Sequence, residues 1–224
     1  MDNRLKPESK KHMIHCAYQV LMRDGFDDFS IRKVALECGC GVSSLYRHFS
    51  SKDELLLYAA VRNIHSYLSE LSDTWAQENN SLYHYFAVEQ SFAKYSFAEP
   101  ILFYNMYFGP ASHLLDHIFL DSMELFQDTY ANMIQDLREI LSSPGGIAAR
   151  NLAMLERCRQ DGFLHVSTTE LNLLNEGIVR MYRGYLDEAV LLQRGGNSTE
   201  DLRQMYLAAH RLMHQPFISE DVYV

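Results

Sequence analysis

Apolar residues recur at spacings of three and four along nearly the whole chain, and the breaks between the periodic segments carry helix-end residues rather than strand turns. That pattern restricts the fold to an all-α one. Ser51-Lys52-Asp53-Glu54, Ser167-Thr168-Thr169-Glu170 and Ser198-Thr199-Glu200-Asp201 each set a hydroxyl three residues before an acid, the arrangement that caps a helix start and complements its dipole. Gly25, Gly39, Gly109-Pro110, Pro144-Gly145-Gly146 and Gly195-Gly196 interrupt the periodicity. The predicted helices run over about 9–24, 31–38, 42–49, 52–77, 81–98, 100–108, 111–142, 147–161, 168–194 and 198–214, with a peripheral tail from Pro216 to Val224.

At 224 residues the chain can build a small unit joined to a larger one. It has no apolar run of the ~20 residues that span a bilayer, and its polar start, Met1 to Lys11, lacks a secretory apolar stretch. A cytoplasmic location is expected, with no membrane partner and with Cys16, Cys38, Cys40 and Cys158 as reduced thiols. The net charge of -9 argues against nucleic-acid binding until its distribution is read. Residues 1–52 hold nine Lys and Arg against six Asp and Glu, a balance of +3, whereas residues 53–224 hold 11 against 23, a balance of -12. The basic surface is therefore local to one end.

That end contains Ser30-Ile-Arg-Lys-Val-Ala-Leu-Glu-Cys-Gly-Cys-Gly-Val-Ser-Ser-Leu-Tyr-Arg-His-Phe49, the layout of two short helices crossing at a tight turn. Ala35 lets the second helix approach and Gly39 can take the left-handed conformation. Val34, Leu45 and Phe49 can close a small core with Leu21 and Phe26, which leaves Val42, Ser43, Ser44, Tyr46, Arg47 and His48 outward. An ordinary helical hairpin with surface Tyr and Arg is the plainer reading of the same residues.

This stretch resembles the TetR family of bacterial regulators through Gly39, Leu45, Tyr46, His48, Phe49, Lys52 and Leu55. The first helix fits as well, with Met13, Ile14, Cys16, Ala17, Val20 and Leu21 at apolar positions before Gly25-Phe26. The resemblance spans residues 11–57. It departs at Cys40, where Val is usual, at Gly41, where a Ser cap is usual, and at Ser43 and Ser44, which replace Gly and Thr. The resemblance implies a helix-turn-helix DNA-binding domain over 1–52 and a helical effector-binding and dimerisation domain over 53–224. It places Tyr46, His48 and Lys52 on phosphates, Ser44 at a backbone-contacting hydroxyl position, and Arg32, Val42, Ser43 and Arg47 at the major groove. An Arg can bond guanine O6 and N7 in a fork, whereas a Tyr hydroxyl or Lys ammonium fixes register without reading sequence.

Leu57, Val61, Ile64, Leu68, Leu71 and Trp75 form one seam, so a single helix over 52–77 would reach about 39 Å from the DNA end into the acidic part. Leu171, Leu174, Ile178, Met181 and Tyr185 share one face of the 168–194 helix, and Val179, Tyr182 and Leu186 another, so that helix needs two partners. The resemblance implies that the last two helices pair with their copies in a homodimer, through the first set together with Leu202, Met205, Ala209 and Leu212. A fully buried helix within one chain is the alternative.

Residues 83–130 hold 13 of the 26 Phe and Tyr, among them Tyr83, Phe86, Phe92, Tyr95, Phe103, Tyr104, Tyr107, Phe108 and Phe126. Aromatic walls with a few polar handles suit a small-molecule site, although aromatic stripes also make plain core. Between Arg62 and Arg138 the only Lys or Arg is Lys94, whereas Glu89, Glu99, Asp116, Asp121, Glu124 and Asp128 are present. A neutral or cationic, apolar or aromatic effector follows as the expectation, rather than an acyl-CoA or other polyanion.

The function expected is a repressor released from a palindromic double-stranded DNA operator by that effector, with no cofactor and no metal. Two alternatives stand beside it: a metal-responsive regulator of the same fold, and a DNA-binding protein with no effector. The His pairs 12/15, 113/117 and 210/214 have helical spacing, and His113, Asp116 and His117 make the best metal candidate. Cys38 and Cys40 fall in the tight turn of the DNA unit, and no set of four ligands is evident. An enzyme would need a nucleophile with its base, a phosphate loop or a cofactor motif, and none is found.

Overall fold

Twelve α-helices follow from this patterning among the described residues. In the computed structural model these are residues 9–64, 67–68, 70–71, 80–131, 133 and 135–218. The helices are α1 Lys10–Asp24, α2 Ile31–Cys38, α3 Val42–Tyr46, α4 Lys52–Asn63, α5 Ser81–Ala98 and α6 Pro100–Phe108. Then come α7 Leu115–Leu125, α8 Gln127–Tyr130, α9 Gln135–Ser142, α10 Gly146–Gln160, α11 Thr168–Arg194 and α12 Glu200–His214. No strand occurs among the described residues beyond an isolated antiparallel bridge between Leu164 and Ile218, and no helix there is long and apolar enough to cross a membrane.

Two long predicted helices are broken. The 52–77 helix stops at Asn63, and Ile64 leaves helical geometry at φ -78°, ψ 6°. The amide of Leu68 then bonds to Ile64 O at 3.0 Å, with helix again at 67–68 and 70–71. The apolar seam survives this break, since Leu57, Val61, Ile64, Leu68 and Leu71 are all buried. Trp75 lies outside the described residues. The predicted 111–142 helix is a 3₁₀ turn at Ser112–Leu114 followed by α7, α8 and α9, with Phe126 at φ -115°, ψ 45° between two of them. Neither Ile64 nor Phe126 is a Gly or Pro, so neither break carries a breaker residue.

The caps divide similarly. Ser167 and Glu170 form a full capping box. Ser51 Oγ accepts from the Glu54 amide at 3.0 Å, but the Glu54 carboxylate turns to the Ser50 amide at 2.6 Å. Before α12 the cap position falls on Thr199, whose hydroxyl donates instead to Phe97 O at 2.5 Å. At the C-terminal end the tail is tied rather than peripheral through Ile218, with the His165 amide on Phe217 O at 2.8 Å.

α1 packs on α2 and α4, α4 packs on α7 and α6, and α11 lies against α6, α10 and α12. One apolar core runs from Met13 and Leu45 through Val61 to Tyr182 and Tyr206, so the boundary expected after residue 52 falls where α4 begins to serve both ends. A polar node closes that junction: Lys10 Nζ donates to Asp121 Oδ2 at 2.6 Å and to the Tyr58 hydroxyl at 2.7 Å, and Tyr58 donates to the same carboxylate at 2.5 Å.

Candidate nucleic-acid interface and ligand cavity

The helix-turn-helix is built locally. Ser30 Oγ caps α2 by accepting from the Lys33 amide at 3.3 Å. Gly39 takes φ 65°, ψ 31°, the left-handed geometry a side chain disfavours, and the Cys40 amide returns to Ala35 O at 3.0 Å. Gly41 precedes α3 in extended geometry with no side-chain cap, which fits a recognition helix of only five residues. Val34, Ala35, Leu45 and Phe49 are buried. Phe29 joins Phe49 as a buried aromatic of this small core, whereas Phe26 is half-buried against it.

Arg32, Ser43, Tyr46, Arg47, His48 and Lys52 are exposed on one side of this unit, and Val42 is half-buried. Ser44, expected outward, is buried, and its Oγ accepts from Arg47 Nη2 at 2.9 Å. The other nearby cations are engaged: Arg23 holds Asp24 and Glu37, and Lys33 holds Asp24 at 2.9 Å. Hydrogen bonds from Arg23 and then Lys33 draw the Asp24 carboxyl down to about 2. Among the described residues Arg32 and Lys52 form no ion pair, so their charge faces solvent.

A cavity of about 70 Å³ lies between α5, α6, α9, α10, α11 and α12. Its apolar wall includes Val88, Phe92, Tyr107, Met154 and Tyr182, and its polar groups include Glu89, Arg150 and Asn151. The two charges differ in compensation. Arg150 Nη2 pairs with Asp116 Oδ1 at 2.5 Å and its Nε donates to Leu141 O at 3.3 Å, whereas Nη1 is buried without a hydrogen-bond partner. Glu89 accepts from the Tyr206 hydroxyl, and burial pushes its carboxyl above the usual range. Its nearest base, His210, is 3.8 Å away, but burial lowers that imidazole to about 3 and the adjacent His214 to about 4. Both rings are therefore neutral, and Glu89 has no counter-charge there. A second cavity of about 230 Å³ shares Ile140 and Met154 with the first and carries His84, Asp136, Glu139 and Arg157 on its walls.

Of the aromatic residues singled out in sequence, Phe92 and Tyr107 line the smaller cavity. The other seven serve packing. Phe103 is buried edge-on to Phe92, Phe86 packs against His210 and His214, and Tyr104 packs on Phe108. Tyr95 donates to Glu70 Oε2 at 3.0 Å, Phe126 lies under Arg62, and Tyr83 is half-buried beside the His84 ring. Glu89 appeared in sequence only as one acid among several, and Arg150 not at all, because neither sits in a local pattern.

The apolar faces of the last two helices are also redistributed. Leu171, Leu174 and Ile178 are buried in a cluster with Leu82, Leu155 and Leu164 of the same chain, and Leu202 is buried in the main core. Met181, Tyr185 and Ala209 are half-buried, whereas Met205 is 60% and Leu212 65% exposed. Leu173 and Leu191, at 63% and 70%, are exposed on α11. Leu173, Leu191, Met205 and Leu212 are thus the apolar residues these two helices leave exposed, whereas the 171/174/178 stripe is covered within the chain.

The proposed His113, Asp116, His117 cation set does not assemble. His113 Nδ1 lies 3.1 Å from Pro110 O, and Asp116 is spent on Arg150 and on the amides of Gly145 and Gly146. His210 stacks on Tyr85 and His214 packs tilted against it, with the Tyr85 hydroxyl 3.0 Å from His210 Nε2.

Residues 14–59 match the sequence pattern of the family described as bacterial regulatory proteins, tetR family. The HTH-type transcriptional regulator SAB2452 of Staphylococcus aureus is 27% identical over 63 residues, which are 28% of this chain and 34% of that protein. The match thus spans about a third of the relative's length. Two solved structures have the fold of nearly the whole chain. Thermus thermophilus FadR, a TetR family transcriptional repressor in complex with lauroyl-CoA, superposes with TM-score 0.57 at 13% identity, covering 96% of this chain and 98% of its own. SmeT, repressor of the Stenotrophomonas maltophilia multidrug efflux pump SmeDEF, gives TM-score 0.52 at 16% identity, covering 98% and 96%. Residues 14–59 thus carry the sequence pattern of the tetR family of bacterial regulators, and the all-helical fold of the chain is the fold of these two solved structures.

Proposed function

We propose that the chain is a repressor that binds a palindromic operator as a homodimer and is released by a neutral or cationic, apolar or aromatic small molecule. The observation that carries the effector class is the cavity's buried Glu89, a carboxyl that burial pushes toward its neutral form and that a cationic guest would draw back to the ionised one, beside an Arg150 already paired with Asp116. A cationic or hydrogen-bond-donating group satisfies Glu89, aromatic walls accept the body of the molecule, and Arg150 Nη1 can donate to one acceptor. A polyanion would meet a single lining cation. The lauroyl-CoA of the Thermus protein belongs to that protein.

At about 70 Å³ the cavity is far below the roughly 300–1,000 Å³ of a drug-sized site. A ligand must therefore displace lining side chains, and Met154 and Ile140, shared with the neighbouring acidic-walled cavity, are the natural door. Expansion there pushes on Tyr107 of α6, which packs against α4 and hence against α1. Ligand weakens DNA binding only by its preference for the expanded form. A second copy covers Leu173, Leu191, Met205 and Leu212 and sets two recognition helices about 34 Å apart, or a multiple of that.

The test is calorimetry of the full chain with amphipathic aromatic cations and, in parallel, with acyl-CoA, each followed by release from a promoter fragment. Cation binding with release is expected. Tight binding of the acyl-CoA alone would remove the effector class, and release by neither would favour a constitutive DNA binder.

On DNA, Arg47→Ala is expected to weaken binding with a changed base preference, after its guanidinium leaves Ser44. Lys52→Ala should weaken binding uniformly and lower the salt slope by roughly one unit or less. Equal losses for Arg47→Ala on cognate and random fragments would remove its role as a reader.

A further inference from the structure

Three ligand-bearing side chains converge inside the helix-turn-helix, from parts of the sequence that show no common motif. His12 and Cys16 sit one turn apart on α1, with Nε2 and Sγ 3.5 Å from each other. Cys38, the last residue of α2, brings its thiol to them, so that the ligand atoms of all three lie within 4.8 Å of one another. Cys40, across the left-handed Gly39, interacts with the Cys38 thiol but lies outside that 4.8 Å set. We propose that His12, Cys16, Cys38 and Cys40 form a Cys₃His site for a thiophilic tetrahedral divalent cation, Zn(II).

The geometry suits that ion. Zn–S bonds of about 2.3 Å and Zn–N bonds of about 2.0 Å require ligand atoms a little under 4 Å apart, a small contraction for His12, Cys16 and Cys38 and an inward turn of the Cys40 side chain. Cys16 and Cys38 are buried, whereas His12 and Cys40 are half-buried, which gives the ion a way in and a water-poor interior. Burial holds both inner thiols in their protonated form. On binding, each of the three thiols loses its proton to solvent and the thiolate lone pair takes up the metal, so affinity must fall as pH falls.

The site's position gives it a consequence for DNA. Cys40 lies two residues before α3, whose Gly41 start has no side-chain cap. Metal bonds from α1 and α2 to Cys40 would hold the uncapped recognition helix in place. That consequence rests on the DNA-binding reading of α3; metal binding does not.

The experiment is titration of the reduced full-length chain with Co(II), read by visible absorption and without DNA. One equivalent per chain is expected to give thiolate charge-transfer bands and the intense ligand-field bands of tetrahedral Co(II), both lost on adding Zn(II). Cys158→Ala, in α10, should leave the spectrum intact. Cys40→Ser and His12→Gln, both at half-buried positions, should each weaken binding by at least about tenfold. Thiolate bands that persist undiminished in both variants, or their absence from the reduced wild type, would overturn the site. Zn(II) should also raise the thermal midpoint by roughly 5 °C and tighten retention of a promoter fragment. A metal-loaded chain that binds the fragment no better than the metal-free chain would overturn the coupling to α3 while leaving the site.

Discussion

Asp116→Ala is expected to lower the unfolding free energy by about 3 kcal/mol, a loss on the scale of a buried core truncation. The reason is the guanidinium it faces. The Arg150 side chain is 7% exposed, and its Nη2 is 2.5 Å from Asp116 Oδ1. Removing one partner of a buried pair leaves an uncompensated charge, at a typical cost of about 3–5 kcal/mol. Asp116 itself is 30% exposed, so water can enter behind the truncated side chain and the lower end applies. Its other oxygen accepts from the amides of Gly145 and Gly146 at 2.8 and 3.2 Å. Those amides start α10, whose Gly145 has no capping side chain. Urea denaturation of the ligand-free chain measures the loss. Arg150→Met should be milder, because it leaves Asp116 at a position water can reach. A loss below about 1 kcal/mol for Asp116→Ala would mean that the guanidinium finds solvent, and Arg150 would then no longer be a neutralised wall of the cavity.

The same pair shows why the cavity resisted sequence reasoning while the helix-turn-helix did not. Gly39, Leu45, Tyr46 and Phe49 lie within eleven residues of one another, and their spacing alone fixes the turn and the small core. The cavity draws its lining from six helices. Its charged groups, Glu89 and Arg150, are single residues whose meaning depends on Asp116 and Tyr206 lying beside them. The density of Phe and Tyr over 83–130 located the aromatic core correctly, but Phe92 and Tyr107 are the members that face open space. Periodicity at Leu171, Leu174 and Ile178 likewise reported a buried stripe and could not say whether the cover came from this chain or a second copy. Cys38 and Cys40, read alone, showed two thiols in a turn; only the packing of α1 on α2 adds His12 and Cys16.

Acid is expected to destabilise the chain well before its surface carboxylates titrate, through His210 and His214. Burial, with Arg211 adding to it, holds His210 at about 3, and burial with His210 beside it holds His214 at about 4. In the unfolded chain both rings titrate near the usual value of about 6.5. Their neutral forms therefore contribute stability that is complete above pH 6.5 and is lost as pH falls toward 4, where the unfolded chain binds two protons that the fold refuses. Each proton is worth about 1.4 kcal/mol per pH unit. Glu89 acts with the opposite sign: its raised carboxyl keeps a proton that the unfolded chain releases above about 4.5, which offsets up to one of the two. Between pH 6.5 and 5 the net loss is then about 1–3 kcal/mol, a sizeable share of the 5–15 kcal/mol typical of a folded domain. Thermal midpoints against pH measure it. The double variant His210→Gln, His214→Gln should flatten the profile, and Glu89→Gln, by removing the offset, should steepen it. A wild-type midpoint that does not move between pH 6.5 and 5 would show that these imidazoles already take protons in the fold, and Glu89 would then have the counter-charge whose absence defines the cavity's preference for cations.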